Sequence, residues 1–418
     1  MKMNRDAAPK CGLLGEKLGH SYSPQIHAAL ADYEYRLYEK EGSEIGTFLS
    51  GNDWDGLNVT IPYKKAVIPY LSELSPTALE TGSVNTIVRK EGGKLFGDNT
   101  DVYGFIKMTE HAGITVEGRK ALVLGSGGAS AAAVTALRKM NAKPLVISRS
   151  GKDNYDNLSM HRDAEIIVNT TPLGMYPKNG GFAVNLEDFP NLCGVLDVIY
   201  NPARTALLLK AEKLGIPYAN GLYMLVAQAK RSCELFLDEN IPDTEIDRVY
   251  RELSLSCRNI ILIGMPGTGK STVARKISEI TNRRMYDSDE EITRKTGQTP
   301  EQLIGQRGES TFRDIETEIL GEVAKQSEAV IATGGGVVVR ERNYDILHQN
   351  GTVVWLQRDL TLLEDKNRPI LQKEGAEELY RQREPLYRKF ADITLRIGED
   401  EAESAKAVIE ALAGGSQR

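Results

Sequence analysis

The chain is poor in cysteine, with only four residues, Cys11, Cys193, Cys233 and Cys257. They are widely spaced and form no C-x-x-C pair, which excludes a zinc ribbon and a disulfide framework and fits a reducing cytosol. Long apolar runs are also lacking. No stretch reaches the about 18 uninterrupted apolar residues that a bilayer-spanning helix needs, and the opening MKMNRDAAPK has no apolar core of the signal-peptide kind. A soluble, cytoplasmic protein is therefore expected. Excess positive charge is a third absence: the net charge is −6, with acidic and basic residues interspersed. No cationic stripe is available to neutralise a nucleic-acid backbone or an anionic membrane. The partners expected are small molecules, not nucleic acid and not membrane, with a homodimer left open.

At 418 residues the chain exceeds what one hydrophobic core sustains, since single cores stop growing at roughly 250 to 300 residues. Its 41% hydrophobic and 26% charged content is that of ordinary globular domains. Apolar runs alternate with amphipathic stretches: ALVLG at 121–125, PLVIS at 144–148, EIIVN at 165–169, GVLDV at 194–198, IILIG at 260–264, AVIAT at 329–333 and TVVWL at 352–356. This alternation predicts an α/β fold with parallel sheets covered by helices. A helical stretch followed by a short serine-rich break near 254–257 marks the expected main boundary.

Two glycine turns of different design stand out. ALVLGSGGASAAAVTALRKM at 121–140 reads as strand, turn and alanine-rich helix, the geometry that lays a pyrophosphate against a helix N-terminus. Gly125, Ser126, Gly127, Gly128 and Ala129 are the dinucleotide candidates. The next strand ends in ISRSGK, with Ser148 and Arg149 where an acidic residue would bond a ribose 2′-hydroxyl. Arginine there accommodates a 2′-phosphate, so NADP(H) is favoured over NAD, with Lys152 in support.

The second turn, GMPGTGKS at 264–271, fits G-x-x-x-x-G-K-[ST] in full after a strand and before the amphipathic TVARKISEIT. Backbone N–H groups of Gly267, Thr268, Gly269 and Lys270 are expected to cradle ATP phosphates, with Thr272 just beyond. The Lys270 ammonium would reach the outer phosphates and Ser271 would hold Mg²⁺.

Around the first turn, GEKLGHSYSPQIH at 15–27, LNVTIPYKK at 57–65, SVNTIVRKEGGKLFGDNTDVYGF at 83–105, NTTPLGM at 169–175, DVIYNP at 197–202 and GLYMLVAQA at 221–229 follow in order. Over residues 10–253 this set resembles the shikimate dehydrogenase family. The resemblance implies NADPH-dependent reduction of 3-dehydroshikimate, with Lys64 and Asp101 as the catalytic pair. It implies Ser21, Ser23 and Tyr200 at the substrate carboxylate, Thr60, Asn85 and Gln228 at the hydroxyls or carboxylate edge, and Gly221 at the cofactor. Hydroxyl and amide groups suit a small polyhydroxylated acid. Helix capping is the structural alternative for Ser21 and Ser23. The implied layout is an α/β substrate domain (1–102 and 223–253) and a Rossmann-like NADP domain (103–222), its terminal helix near 223–250 returning to the substrate domain. His20 and His27 are expected to be structural.

After the second turn come MYDSDEEI at 285–292, GESTFRDIE at 308–316, IATGGGVV at 331–338, NRPIL at 367–371 and REPLYRKFADI at 383–393. This set is similar to the shikimate kinase family across 258 to about 412. The resemblance implies a P-loop kinase domain with a parallel sheet (258–418), joined through a linker at 254–257. Asp289 would position the acceptor hydroxyl and accept its proton, and Asp287 would reach Mg²⁺ through water. The carboxylate clamp would be Arg313 and Arg383. Gly335 and Gly336 would let backbone approach the ring, and Arg368 would stabilise the transferring phosphoryl group. Together the two resemblances imply a bifunctional enzyme of aromatic amino acid biosynthesis. The rivals are an NAD-preferring quinate/shikimate dehydrogenase fused to the kinase, and a non-catalytic shikimate sensor. A sensor is expected to have lost part of the machinery, whereas Lys64, Asp101, Lys270, Ser271, Asp289 and Arg313 are all present.

Overall fold

The computed structural model describes residues 8–19, 21–363 and 375–414. By contacts the chain divides into two compact units, residues 1–175, 180–200 and 210–252, and residues 176–179, 201–209 and 253–418.

The first unit holds two sheets. One contains β1 (Lys10–Gly15), β2 (Glu34–Glu39), β3 (Gly56–Val59), β4 (Glu73–Leu74), β5 (Thr86–Arg89) and β6 (Leu95–Asp98) in the order β2-β1-β3-β5-β6-β4. It is mixed: β1 runs parallel to β2 and β3, while β5 is antiparallel to β3 and β6. The other contains β7 (Lys120–Leu124), β8 (Lys143–Ile147), β9 (Ile166–Asn169), β10 (Gly194–Asp197) and β11 (Tyr218–Ala219) in the order β11-β10-β9-β7-β8. All its pairings are parallel. Because β7 lies between β8 and β9, the chain leaves it in one direction and returns on the other side. The crevice at its carboxyl end is the topological switch point where open α/β sheets bind ligands.

The second unit is built on β12 (Asn259–Ile263), β13 (Arg284–Asp287), β14 (Ala329–Ala332), β15 (Gly351–Gln357) and β16 (Ile393–Arg396). Their order is β13-β14-β12-β15-β16, again wholly parallel. The central strands read as unbroken apolar runs because both faces are covered: Leu122, Val123 and Leu124 of β7 and Ile261, Leu262 and Ile263 of β12 are fully buried. Among the described residues no helix is long and apolar enough to cross a membrane.

Three expectations are corrected. The serine-rich segment 254–257 is not a break, because a helix runs continuously from Thr244 to Cys257. Its buried stripe of Ile246, Val249 and Leu253 has the helical spacing, and the helix runs on through Ser254 and Ser256. The single helix expected near 223–250 is two helices, Leu222–Leu237 and Thr244–Cys257. Asp238 adopts the left-handed conformation at φ 54° and ends the first, and Pro242 stands shortly beyond. The expected domain limit at 102/103 falls inside the helix Asp101–His111.

Candidate functional site

In the first unit the strand ends of the mixed sheet deliver the predicted polar residues to one place. Lys64 follows β3, and its Nζ lies 2.6 Å from Asp101 Oδ2. Asp101 opens the helix Asp101–His111, where a carboxylate complements the positive helix end. The Asn85 Nδ2 amide donates to Asp101 Oδ1 at 2.9 Å and lies 3.4 Å from Gln228 Oε1. Asn85 Oδ1 accepts from the Thr100 backbone N–H at 2.7 Å, which fixes the orientation of the amide. Lys64, Asn85, Asp101 and Gln228 therefore form one cluster. An ammonium bonded to a carboxylate and flanked by amides can deliver a proton to an oxygen and bind hydroxyl groups.

Beneath this cluster lies polar support that motif reading missed. Ser232 Oγ is within 2.8 Å of Asn58 Nδ2, 2.9 Å of Thr86 Oγ1 and 3.1 Å of Thr100 Oγ1, and donates to the Gln228 carbonyl at 3.0 Å. Ser232, Thr86 and Thr100 are almost wholly buried. The one signal in the sequence was spacing, since Ser232 follows Gln228 by four residues and shares its helix face.

Ser21, Ser23 and Tyr200 are less tightly gathered. Ser21 Oγ accepts from the Ser23 backbone N–H at 3.2 Å, while the helix Ser23–Leu30 is capped at Tyr22 without a side-chain bond, so neither serine is its N-cap. The Tyr22 and Tyr200 rings stand 6.0 Å apart. Thr60 sits at the end of β3, its N–H donating to the Leu14 carbonyl at 2.9 Å. His27 is buried and lies 2.5 Å from the Tyr33 hydroxyl through Nδ1, as a structural histidine should be. His20 lies outside the described residues.

The glycine turn after β7 occupies the switch-point crevice. Gly125 has φ 108°, and Gly127 precedes the helix Gly128–Lys139. Among the described residues, its chain neighbours aside, no atom lies within 4 Å of where a Cβ on Gly127 would stand, and a Cβ on Gly128 would meet Lys64 Cδ at 3.8 Å. The open turn with Ser126 and Ala129 thus faces the lysine of the polar cluster, a cradle that fits a dinucleotide pyrophosphate. Ser148 and the exposed Arg149 follow β8. Gly221 is required by packing: a Cβ there would come within 2.0 Å of the Val198 carbonyl.

In the second unit β12 runs into Gly264, and the helix Lys270–Thr281 follows the loop. Gly267 and Gly269, both at φ 88°, form a turn that ordinary residues resist. Thr268 Oγ1 bonds the Met265 carbonyl. Lys270 Nζ donates to the carbonyls of Gly264 and Met265 at 3.0 and 2.9 Å, curling over the loop. Ser271 Oγ lies 2.5 Å from Asp287 Oδ2, and Thr272 continues the first helical turn. Two such oxygens suit a Mg²⁺ ion that keeps most of its water; among the described residues no group of three or more His, Cys, Asp or Glu could hold a metal by itself.

Asp287 also caps the helix Ser288–Thr296, accepting from the Asp289 N–H at 2.9 Å. This places Asp289 facing inward. Burial, reinforced by the charges of Asp287 and Glu316, pushes its carboxyl up to about 7. Its Oδ1 has no hydrogen-bond partner among the described residues. Arg313 is buried and donates to Glu316 at 2.8 Å and to Glu309 at 3.0 Å. A Cβ on Gly336 would collide with its guanidinium at 2.1 Å. Arg383 and the Tyr387 hydroxyl both hold the Gly335 carbonyl, the former at 3.1 Å. Asp289, Arg313, Gly335, Gly336 and Arg383 therefore belong to one enclosed site. Glu316 and Gly334 complete it. Arg368 lies outside the described residues.

Residues 13–87 match the shikimate dehydrogenase substrate binding domain, and residues 266–413 match shikimate kinase. A shikimate dehydrogenase (NADP(+)) of Clostridium perfringens is 35% identical over 269 residues, covering 59% of this chain and 98% of the relative. A chorismate mutase/shikimate 5-dehydrogenase fusion protein from Clostridium acetobutylicum superposes with a TM-score of 0.56 at 35% identity, over 59% of this chain and 97% of its own. Shikimate 5-dehydrogenase from Thermus thermophilus, solved with NADP(H) and shikimate, gives a TM-score of 0.54 at 29% identity over 58% of this chain and 99% of its own. Joining a parallel switch-point crevice and a Lys64–Asp101 cluster to a relative matched over almost its whole length, the chain belongs to the shikimate dehydrogenase family, and a shikimate kinase domain follows at 266–413.

Proposed function

We propose that the first unit reduces 3-dehydroshikimate to shikimate with NADPH and that the second phosphorylates shikimate with ATP to give shikimate 3-phosphate. The observation that carries the reading is the Lys64–Asp101 pair, 2.6 Å apart, lying beside the dinucleotide turn.

NADPH supplies the hydride. The chain's own residues manage the charge that hydride addition leaves on the ketone oxygen: the Lys64 ammonium gives that oxygen a proton, and Asp101 orients the ammonium and a substrate hydroxyl. Asn85, Gln228 and Thr60 bind the remaining hydroxyls or the carboxylate edge, and Ser21, Ser23 and Tyr200 receive the carboxylate. Arg149 selects the 2′-phosphorylated coenzyme. In the second unit ATP supplies the phosphoryl group. Asp289 orients the acceptor hydroxyl and takes its proton, a task suited to a carboxyl titrating near neutrality. Arg313 and Arg383 bind the shikimate carboxylate, and Lys270 with the loop amides binds phosphate oxygens.

The test is to supply 3-dehydroshikimate, NADPH and Mg-ATP together and identify products by mass. Lys64→Ala should stop the reduction while added shikimate is still phosphorylated. Lys270→Ala should let shikimate accumulate. Loss of both activities in either variant, with folding intact, would refute separate sites.

A further inference from the structure

The nucleotide loop of the second unit has a basic neighbour that its motif does not contain. Arg358 follows β15, which pairs with the P-loop strand β12 in the register Ile263↔Trp355. The two chains stay close beyond the pairing, since a Cβ on Gly264 would meet the Leu356 carbonyl at 2.5 Å. The Gln357 carbonyl accepts from Ile397 N–H at 2.9 Å, anchoring the backbone just before Arg358. From there the guanidinium reaches the loop: Arg358 Nη1 lies 3.5 Å from the point where a Cβ on Gly269 would stand.

This cation has no counter-ion among the described residues. Its Nε is enclosed and makes no hydrogen bond to any described residue. The adjacent acid, Asp359, is turned to its own loop, accepting from the Thr361 N–H at 3.0 Å and its hydroxyl at 2.8 Å. Nearby charge makes the position worse. The helix Lys270–Thr281 presents its positive end at Gly269, and the Lys270 ammonium lies over the same loop. A guanidinium left unpaired beside another cation and a helix N-terminus is unfavourable until an anion arrives. Its planar fork is suited to phosphate oxygens.

We propose that Arg358 is a nucleotide-binding residue that contacts the polyphosphate held by Gly267–Lys270, a contact additional to the motif lysine. The inference rests on the kinase reading of the second unit, and the experiment separates the two. Direct titration of the full chain with MgADP and unfolding of the nucleotide-free protein are measured for wild type, Arg358→Gln and Arg358→Lys. Arg358→Gln should weaken MgADP binding by about tenfold or more, as loss of a charge-assisted bond does, and Arg358→Lys should recover part of it. Because the side chain has no partner to lose among the described residues, the nucleotide-free Gln variant should unfold at the same temperature as wild type or higher. MgADP binding by Arg358→Gln within twofold of wild type would overturn the inference, as would a fall in its nucleotide-free unfolding temperature that accounts for the weaker binding. A wild type that binds no MgADP would instead overturn the kinase reading itself.

Discussion

Asp289 Oδ1 and Glu316 Oε1 border the same point in space: a Cβ on Gly334 would meet them at 2.9 and 2.7 Å. Neither oxygen has a hydrogen-bond partner among the described residues. Two enclosed carboxylates with idle acceptors around one bare Cα make a receptor for hydroxyl donors. The glycine keeps it open.

Gly334→Ala should therefore close the second site. Glu316 cannot swing aside freely, because its other oxygen is held by Arg313 at 2.8 Å. Asp289 is fixed through its backbone by the Asp287 cap. A displacement of the order of an ångström costs about a hundredfold in rate when it misplaces reacting groups. Phosphorylation of shikimate should fall by about that factor, while reduction of 3-dehydroshikimate by the same preparation stays unchanged. Parallel assays of the two activities check this, and an unaltered kinase rate would remove Gly334 from the site.

Asp289 predicts opposite pH dependences for stability and for activity. Burial first, then Asp287 and Glu316, raise its carboxyl to about 7, with Lys270 opposing them. A group whose folded value lies above its unfolded one contributes stability in full below the ordinary carboxylate range, and that contribution is lost as pH rises through about 7. The ligand-free second unit should thus weaken from pH about 4 to about 7 on this account. Asp289→Asn should remove that part of the decline, and chemical unfolding at several pH values measures it. Activity runs the other way, because a proton acceptor must be ionised. The kinase rate should climb through pH about 7, and a flat profile there would argue against Asp289 as the base.

The sequence carried most of the framework for a physical reason. Parallel strands buried on both faces, such as Leu122–Leu124 and Ile261–Ile263, leave apolar runs with little ambiguity. Phosphate loops must place glycines where backbone meets ligand, so Gly127 and Gly269 were legible too. What was missed depends on through-space partners. Nothing in a serine-rich stretch announces that the helix bearing Ile246, Val249 and Leu253 will run on to Cys257. Arg358 reads as an ordinary loop charge until β15 sets it against Gly269. Gly221 was singled out as a cofactor residue, and its visible constraint is a different one: the Val198 carbonyl leaves no room for a side chain.

Ser232 is the position where a small change should reach the first site without touching it. Its hydroxyl accepts and donates among Asn58, Thr86, Thr100 and the Gln228 carbonyl. Removing it in Ser232→Ala takes from the Asn58 amide its shortest bond and leaves it the longer ones to Thr86 and the Asn85 carbonyl, which costs about 1 kcal/mol of stability. Thr100 in turn meets Asn85 and Gln228, the former through its backbone N–H at 2.7 Å and the latter at 3.4 Å through its hydroxyl. Loosening that frame should raise KM for 3-dehydroshikimate several-fold and reduce its discrimination against an analogue lacking one ring hydroxyl. KM for NADPH should hold, because Gly125–Ala129 is positioned by β7 and its own helix. Steady-state kinetics with both substrates, alongside urea unfolding, distinguish this from simple loss of folded protein. Lower kcat with both KM values and the discrimination unchanged would mean that Ser232 only holds the fold together.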